Sequence, residues 1–392
     1  MRKMMDCKFK KAGCGGCQLL DIPYDKQLET KQHMVQKLLG RFCEPTPIIG
    51  MENPLHYRCK VISTFASAKD GGLISGLYAE SSHKVLPVSA CLLEDEEAAR
   101  VVDAVRNAAA LCRYVAYDED RGTGLLRHVL VRRGYATGQI MVVVVTATAI
   151  LPSSHAFVSQ LRRLCPSITT IVQNVNRRRT SVVLGDQNKV LFGPGIIEDE
   201  LCGCSFWISP SSFYQVNPRQ TEKLYNCAIQ FAALHGQETI LDAYCGTGAI
   251  GIVAAKHGAA TVGGVENNRE AVRDAMRNAK RNGMKNIRFY TADAGRFLHQ
   301  LTAEAKTLDV VFMDPPRTGS DEHFLSALCT LSPQRIIYVS CDITTLARDL
   351  SFLVKNDYHV QKIQPVDLFP FTDHLECVVL LTRAAPARKQ LD

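Results

Sequence analysis

From residue 215 onward the chain alternates short β-type runs with helical segments, and this rhythm constrains the fold more than any other feature. TEKLYNCAIQFAALHG has helical spacing. ETILDAYCGTGAIGIVAAKHG reads as strand, glycine-rich turn and helix, and ATVGGVENNREAVRDAMRNAKRNG repeats the strand-to-helix order. NIRFYTADA, LDVVFMDPPRTG, RIIYVSCD and LECVVLLTR supply further strands. Strands joined by crossover helices predict a doubly wound, largely parallel sheet, with ligands at the carboxyl ends of its strands. The residues at those ends should therefore carry the chemistry.

LDAYCGTGAIG sets Asp242, Gly246, Gly248 and Gly251 between a strand and a helix. Glycine lets backbone approach a ligand, and a helix start presents free amides. Alone, such a turn is weak evidence. Glu266 ends the next strand, where a carboxylate accepts both hydroxyls of a ribose. Asp293 ends the third strand in TADA, placed to receive the exocyclic amine of adenine. The G-x-G-x-x-G order favoured for pyrophosphate is missing, and Asp242 would repel a phosphate. The ladder of acids thus suits S-adenosylmethionine at least as well as a dinucleotide. MDPPRTG closes the fourth strand and puts Asp314 beside a transferable methyl, so methyl transfer is favoured over hydride transfer.

The residue after Pro-Pro narrows the acceptor atom. Amino-methyltransferases commonly place an aromatic there to stack on the target base, and this chain has Arg317. A carbon acceptor such as C5 of uracil is a poor nucleophile and needs covalent addition at C6, which a thiolate performs well. A base must then remove the C5 proton. Cys341 stands at a predicted strand end, and Glu376 opens the last strand after FPFTDHLE. Alone, the cysteine reads as a small hydrophobe and the glutamate as a solvated side chain. Together beside MDPPR they read as nucleophile and general base.

The N-terminal part has a different texture. Residues 1–20 are rich in cysteine and glycine, and Leu28, Met34, Val35, Leu38 and Leu39 space a helix over about 24–40 that ends at Gly40. From about 56 the runs VISTFASA, GLISGLYA, HVLVRRG, QIMVVVVTAT, TTIVQNVN and TSVVLG read as strands, interrupted by helices in LEDEEAARVVDAVRNAAALC and SSHAFVSQLRRL. Fifteen cysteines, an odd count, read as thiols rather than a disulfide framework. No apolar run reaches the roughly 18 residues of a membrane span and no secretory signal opens the chain, so a cytoplasmic protein without a membrane partner is expected. The net charge of +7 is moderate, but arginines cluster at Arg127, Arg132 and Arg133 and at Arg177–Arg179, which permits a polyanionic partner. A basic stretch, ARKQLD, closes the chain.

The blocks GPGIIEDELCGCSFWISPSSFYQVNP, LDAYCGTGAIG, MDPPRTG, YVSCDITTLARDL and LFPFTDHLECVVLL, in this order, resemble the RNA 5-methyluridine methyltransferase family, and the resemblance spans nearly the whole chain. It implies Cys341 as nucleophile and Glu376 as base, with Gln215, Tyr244, Glu266 and Asp314 lining the S-adenosylmethionine and reaction site. Gly246, Gly248 and Asp293 complete the expected cofactor contacts. Asp314 would also hold the uracil edge, and Arg317 would meet a phosphate or the base. Two departures stand out: Ile343 where the family has proline two residues after the nucleophile, and Phe371 and Asp373 in a normally histidine-rich approach to the base.

Cys7, Cys14 and Cys17 form C-x6-C-x2-C, with Cys91 the plausible fourth ligand of a metal group. In the resembled family a similar set, one residue shorter in its first gap, holds a [4Fe-4S] cluster; zinc is the alternative. Arg58 beside Tyr57, Arg132, and Arg127 beside His128 are read as phosphate contacts flanking a flipped-out base. Without a β-barrel before the cysteine loop, the chain resembles the ribosomal-RNA branch more than the tRNA branch. The expected fold is α/β: a cysteine-ligated loop region over 1–95, whose helix is placed to pack on the catalytic domain; a central α+β RNA-binding domain over 56–205, including Cys91; and a Rossmann-like methyltransferase domain over 206–392. A monomer acting on ribosomal RNA is expected. The alternatives are a tRNA uracil-C5 methyltransferase, an amino-methyltransferase not using Cys341, and a non-catalytic RNA-binding protein.

Overall fold

The structure, a computed structural model, describes residues 6–383; the ARKQLD stretch lies outside them. Ahead of the first sheet come a single-turn helix α1 (Lys8–Lys11) and the longer α2 (Tyr24–Leu39). The first sheet holds β1 (Lys60–Ser67), β2 (Leu73–Tyr78), β3 (Val85–Pro87), β4 (Leu126–Arg133), β5 (Ile140–Thr146), β6 (Ile168–Val175) and β7 (Gln187–Phe192) in the order β3-β2-β1-β4-β5-β6-β7. Two helices, α3 (Glu96–Leu111) and α4 (Ser154–Leu164), cover one face through a core that includes Val101, Val105, Val129, Val142, Phe157 and Leu161. A hairpin of β8 (Ile197–Leu201) and β9 (Cys204–Ile208) covers the other. Covered on both faces, β5 is buried along its whole length, which is why it reads as a continuous run of valines rather than an alternation.

The second sheet is the one the strand–helix rhythm predicts. Its strands are β10 (Thr239–Ala243), β11 (Thr261–Glu266), β12 (Ile287–Thr291), β13 (Val310–Met313), β14 (Arg335–Ser340), β15 (Tyr358–Val366) and β16 (Glu376–Arg383), ordered β12-β11-β10-β13-β14-β16-β15. Helices α5 (Pro218–Ala232), α6 (Ala249–Lys256), α7 (Arg269–Arg281), α8 (Ala294–Ala303), α9 (Glu322–Leu331) and α10 (Ile343–Lys355) flank it. All pairings are parallel except those of β16, which runs antiparallel between β14 and β15. The chain therefore folds as a mixed α/β protein with a Rossmann-like sheet. The two sheets share one apolar cluster: Leu130, Met141 and Val143 of the first meet Phe206, Leu224 and Ile252.

The structure departs from the sequence reading at TSVVLG, which is not a strand. Its backbone is instead held by asparagine side chains: Asn176 Nδ2 donates to Val182 O (2.7 Å), and Asn174 exchanges bonds with Gly185 N and O (2.7 and 2.9 Å). With those groups taken, the ladder to β6 begins only at Gln187. Among the described residues no helix is long and apolar enough to cross a membrane.

Candidate active site

The carboxyl ends of β10, β11, β13 and β14 converge with the start of β16. Asp242 is buried in β10 and accepts from Gly251 N at 2.8 Å; burial first, then nearby Asp314 and Glu266, push its carboxyl up to about 7, and the Gly251 amide pulls it back. Gly246 and Gly248 both take positive φ (53° and 80°), the conformation that lets the turn enter α6 with its amides facing outward. Glu266 accepts from Gly246 N (3.2 Å) and Asn268 N (2.8 Å), so its carboxylate is held at the mouth of the turn. Tyr244, also at positive φ (61°), points its hydroxyl at Ser320 Oγ (3.3 Å) and packs its ring 5.1 Å from Phe324. Asp293 caps α8 through Oδ1, accepting from Arg296 N at 3.0 Å. Gln215, Tyr244, Gly246 and Asp314 line one cleft with Asp242, Thr247 and Tyr225.

Strand register brings the two proposed reacting groups together. Ser340 of β14 pairs with Cys377 of β16, so the next position along this antiparallel ladder sets Cys341 against Glu376. Glu376 is buried, and no donor among the described residues relieves its carboxyl; burial and neighbouring Asp314 hold it well above the usual range, while Arg317 pulls it back. Half-buried Asp314 is pushed up to about 7 by desolvation alone. Cys341 is half-buried, and burial, then Glu376 and Asp314, push its thiol up to about 11 against the pull of Arg317. Thiol, two carboxyls and guanidinium thus form one electrostatic unit.

The turn after Cys341 is fixed without a proline. Asp342 caps α10, its Oδ1 accepting from Thr344 N (2.8 Å) and Thr345 N (3.0 Å), while Ser340 Oγ bridges Asp342 N and O. Ile343, buried, occupies the first helical position, where proline is tolerated because its missing amide would have been an orphan. The DPPRTGS loop is bolted to the same helix. Thr345 Oγ1 donates to Arg317 O (3.1 Å), Arg348 Nη2 donates to Thr318 O and Ser320 O, and Asp349 accepts from Ser320 N (2.9 Å) and Tyr338 OH (2.6 Å).

Cys7, Cys14, Cys17 and Cys91 line a cavity of about 500 Å³ together with Arg58, Lys60, Arg317, Phe369 and His374. Burial, then Cys91, Cys14 and Cys7, push the Cys17 thiol up to about 12. Donor number and chemistry therefore fit a soft metal group, although no three His, Cys, Asp or Glu side chains among the described residues surround a point as ligands do. Phe369 and His374 were not predicted; their placement depends on the fold of the segment before Glu376. Arg58 lies 5.9 Å over the Tyr57 ring, in this cavity, and Arg317 is exposed at its edge.

The other arginines predicted to meet RNA face inward. Arg132 is buried and donates to Ser212 O (3.0 Å), holding the 209–217 loop. Arg127 is buried and donates to Asn176 O (3.0 Å) and to Arg178 O, and His128 is buried beside Thr64 Oγ1 (3.1 Å). All three lie on β4, a strand covered on both faces, so neither alternating side opens to solvent.

A model of the tRNA (uracil-5-)-methyltransferase family matches residues 203–384. An RNA methyltransferase of Halalkalibacterium halodurans is 43% identical over 373 residues, covering 94% of this chain and 81% of that protein. The chain belongs to the RNA uracil-5-methyltransferase family. A second RNA methyltransferase, from Caldanaerobacter subterraneus, is 40% identical over 377 residues, covering 94% of this chain and 82% of that one. Among solved structures, the Pyrococcus abyssi tRNA (uracil-54, C5)-methyltransferase in complex with S-adenosyl-L-homocysteine superposes with a TM-score of 0.80 at 28% identity. It covers 94% of this chain and 86% of that chain. The protein is thus a uracil-5-methyltransferase-family enzyme that uses S-adenosylmethionine, and the cleft lined by Tyr244, Gly246 and Asp314 lies at the carboxyl edge where such a ligand binds in this sheet type.

Proposed function

We propose that this enzyme methylates C5 of a uracil in RNA by way of a covalent Cys341 adduct, with Glu376 as the base that ends the cycle. The placement of Cys341 and Glu376 one position beyond the Ser340–Cys377 pair that ends the β14–β16 ladder, within the shared Asp314–Arg317 environment, is the observation that supports this reading. S-adenosylmethionine, when bound, supplies an electrophilic methyl and a positive sulfonium. Burial and the neighbouring carboxyls favour the neutral forms of the Cys341 thiol and the Glu376 carboxyl, and a positive charge beside them lets both ionise more readily. Cys341 gives its proton to water and Sγ bonds to C6, moving the C5–C6 π pair into an enolate. C5 then takes the methyl as the carbon–sulfur bond to the sulfonium breaks, its electron pair staying on a now neutral sulfur. The Glu376 carboxylate removes the C5 proton, the pair re-forms C5=C6, and Sγ leaves as thiolate. The raised affinity of Glu376 for a proton suits it to that last abstraction. Arg317 offsets the negative charge on sulfur and enolate, and Asp314 orients the uracil edge. Gln215, Tyr244, Gly246, Gly248, Glu266 and Asp293 are assigned to the cofactor.

Cys7, Cys14, Cys17 and Cys91 would hold a [4Fe-4S] cluster that staples the N-terminal loop; the chemistry needs no redox step. Ribosomal RNA is proposed as the substrate. The likeness to the archaeal enzyme, which acts on a tRNA uracil by its name, favours tRNA as the second reading. Incubating the enzyme and S-adenosylmethionine with each RNA in 5-fluorouridine form tests both. A denaturation-resistant adduct should form with ribosomal RNA and vanish in Cys341→Ala. An adduct with tRNA alone would move the assignment to tRNA, and methylation that survives Cys341→Ala would sink the covalent route.

A further inference from the structure

Helix α2 turns three polar side chains, Tyr24, Gln27 and Lys31, to one face at i, i+3 and i+7, and all three bond the segment that leads into Glu376. Lys31 Nζ donates to Asp367 Oδ1 (2.7 Å), His374 O (2.8 Å) and Phe369 O (3.2 Å). Tyr24 OH donates to Asp367 Oδ2 (2.9 Å), and Gln27 Oε1 accepts from Phe371 N (2.9 Å). Lys31, Gln27 and Asp367 are each 0% exposed. A lysine almost never lies so deep unless every donor is used, and here the three ammonium protons are divided between the two ends of one connection. That connection, residues 367–375, joins β15 to β16 and has Phe371 at its centre at φ 66°, a left-handed conformation a bulky residue keeps only when surrounding bonds impose it.

We propose that Lys31 is a positioning residue for proton abstraction. By tying Asp367 to His374 O, two residues before Glu376, its ammonium sets the length of the connection and so where the Glu376 carboxyl stands relative to Cys341. The inference rests on the reading of Glu376 as the base. No proton moves through Lys31 itself. The same helix, through Val35 and Leu39, packs in the core that holds Ile343, Leu346 and Ala347 of α10, so α2 braces the elements of both reacting groups.

The role separates early from late steps. A C5 fluorine cannot leave as a proton, so the adduct rate on 5-fluorouridine RNA reads Cys341 addition and methyl transfer only, whereas release from ordinary RNA also reads abstraction. The tests are Lys31→Met and the pair Lys31→Met with Asp367→Leu, in which no buried charge is stranded. Both should form the fluorouridine adduct within about twofold of the parent rate, yet release methylated ordinary RNA about tenfold or more slowly, with a covalent protein–RNA species accumulating. Equal loss of both rates in the paired variant, including through failure to fold, makes α2 a purely structural element and overturns the proposal, as does normal release. Glu376→Gln run alongside separates the two claims. If it releases product normally the base assignment fails, whereas trapping in Glu376→Gln with normal release in the Lys31 variants refutes only Lys31.

Discussion

Asp349→Ala tests whether the loop carrying Asp314 and Arg317 is held by α10. The Asp349 carboxylate is fully buried and takes Ser320 N (2.9 Å) and Tyr338 OH (2.6 Å) on Oδ2 and Arg348 Nε (2.8 Å) on Oδ1. Truncation strands the first two donors in a dry interior at about 1–3 kcal/mol each, while half-exposed Arg348 recovers water. Relief of the carboxylate's own desolvation returns part of that, leaving a net loss of about 3 kcal/mol. Asp349→Asn keeps one acceptor oxygen and should lose about half as much. The single tryptophan, Trp207 in β9, lies 5.1 Å from the Arg281 guanidinium of α7 and reports urea unfolding of the C-terminal sheet. The fluorouridine adduct rate should fall in the same order, Ala below Asn below parent, because Thr318 and Ser320 lose their anchor. A stability loss below about 1 kcal/mol for the alanine variant, or an unaffected adduct rate, would refute the bolting argument.

Further tests address the pocket's charge, its turn and its cysteines. With the Cys341 thiol pushed up to about 11, the thiolate fraction in the free enzyme rises with pH until that value. Alkylation at Cys341, read by peptide mass spectrometry, should climb roughly tenfold per pH unit from 7 to 10; a plateau near the ordinary thiol range of about 8.5 would contradict the buried, acid-flanked environment. In Gly251→Ala the new Cβ would lie 2.9 Å from Asp242 Oδ2 and 3.3 Å from Ile287 Cδ1, displacing the buried carboxylate that anchors the glycine turn. Calorimetry should show S-adenosylmethionine binding weakened about tenfold or more, about 1.4 kcal/mol, and unchanged affinity would dissociate Asp242 from the cofactor site. Anaerobically purified protein should carry iron and sulfide lost together in Cys17→Ser; full zinc without iron would reject the cluster.

Features that depend on chain order and on strand ends were legible in the sequence. The acids at the ends of β10, β11 and β13 come directly from the alternating pattern, and the strand-end placement of Cys341 and Glu376 was legible because each borders a strong apolar run. Long-range burial was not legible. A lysine on an amphipathic helix reads as solvated, and only a carboxylate 336 positions away turns Lys31 inward. Arg127 and Arg132 looked like a basic surface because nothing local reveals that β4 is covered on both sides. Likewise Ile343 read as a missing rigid turn, whereas Asp342, Ser340 and Thr345 supply that rigidity through hydrogen bonds.

The central claim, that Cys341 bonds to C6 of the uracil before the methyl arrives, is tested most directly by the attachment site itself. The adduct formed from 5-fluorouridine RNA and S-adenosylmethionine is digested with protease and nuclease and sequenced by tandem mass spectrometry. The account predicts a peptide containing YVSCDITTLAR whose Cys341 carries a methylated fluorodihydrouridine. Attachment at another cysteine, such as Cys245 in the glycine turn, or methylated RNA with no protein adduct at all, would contradict it.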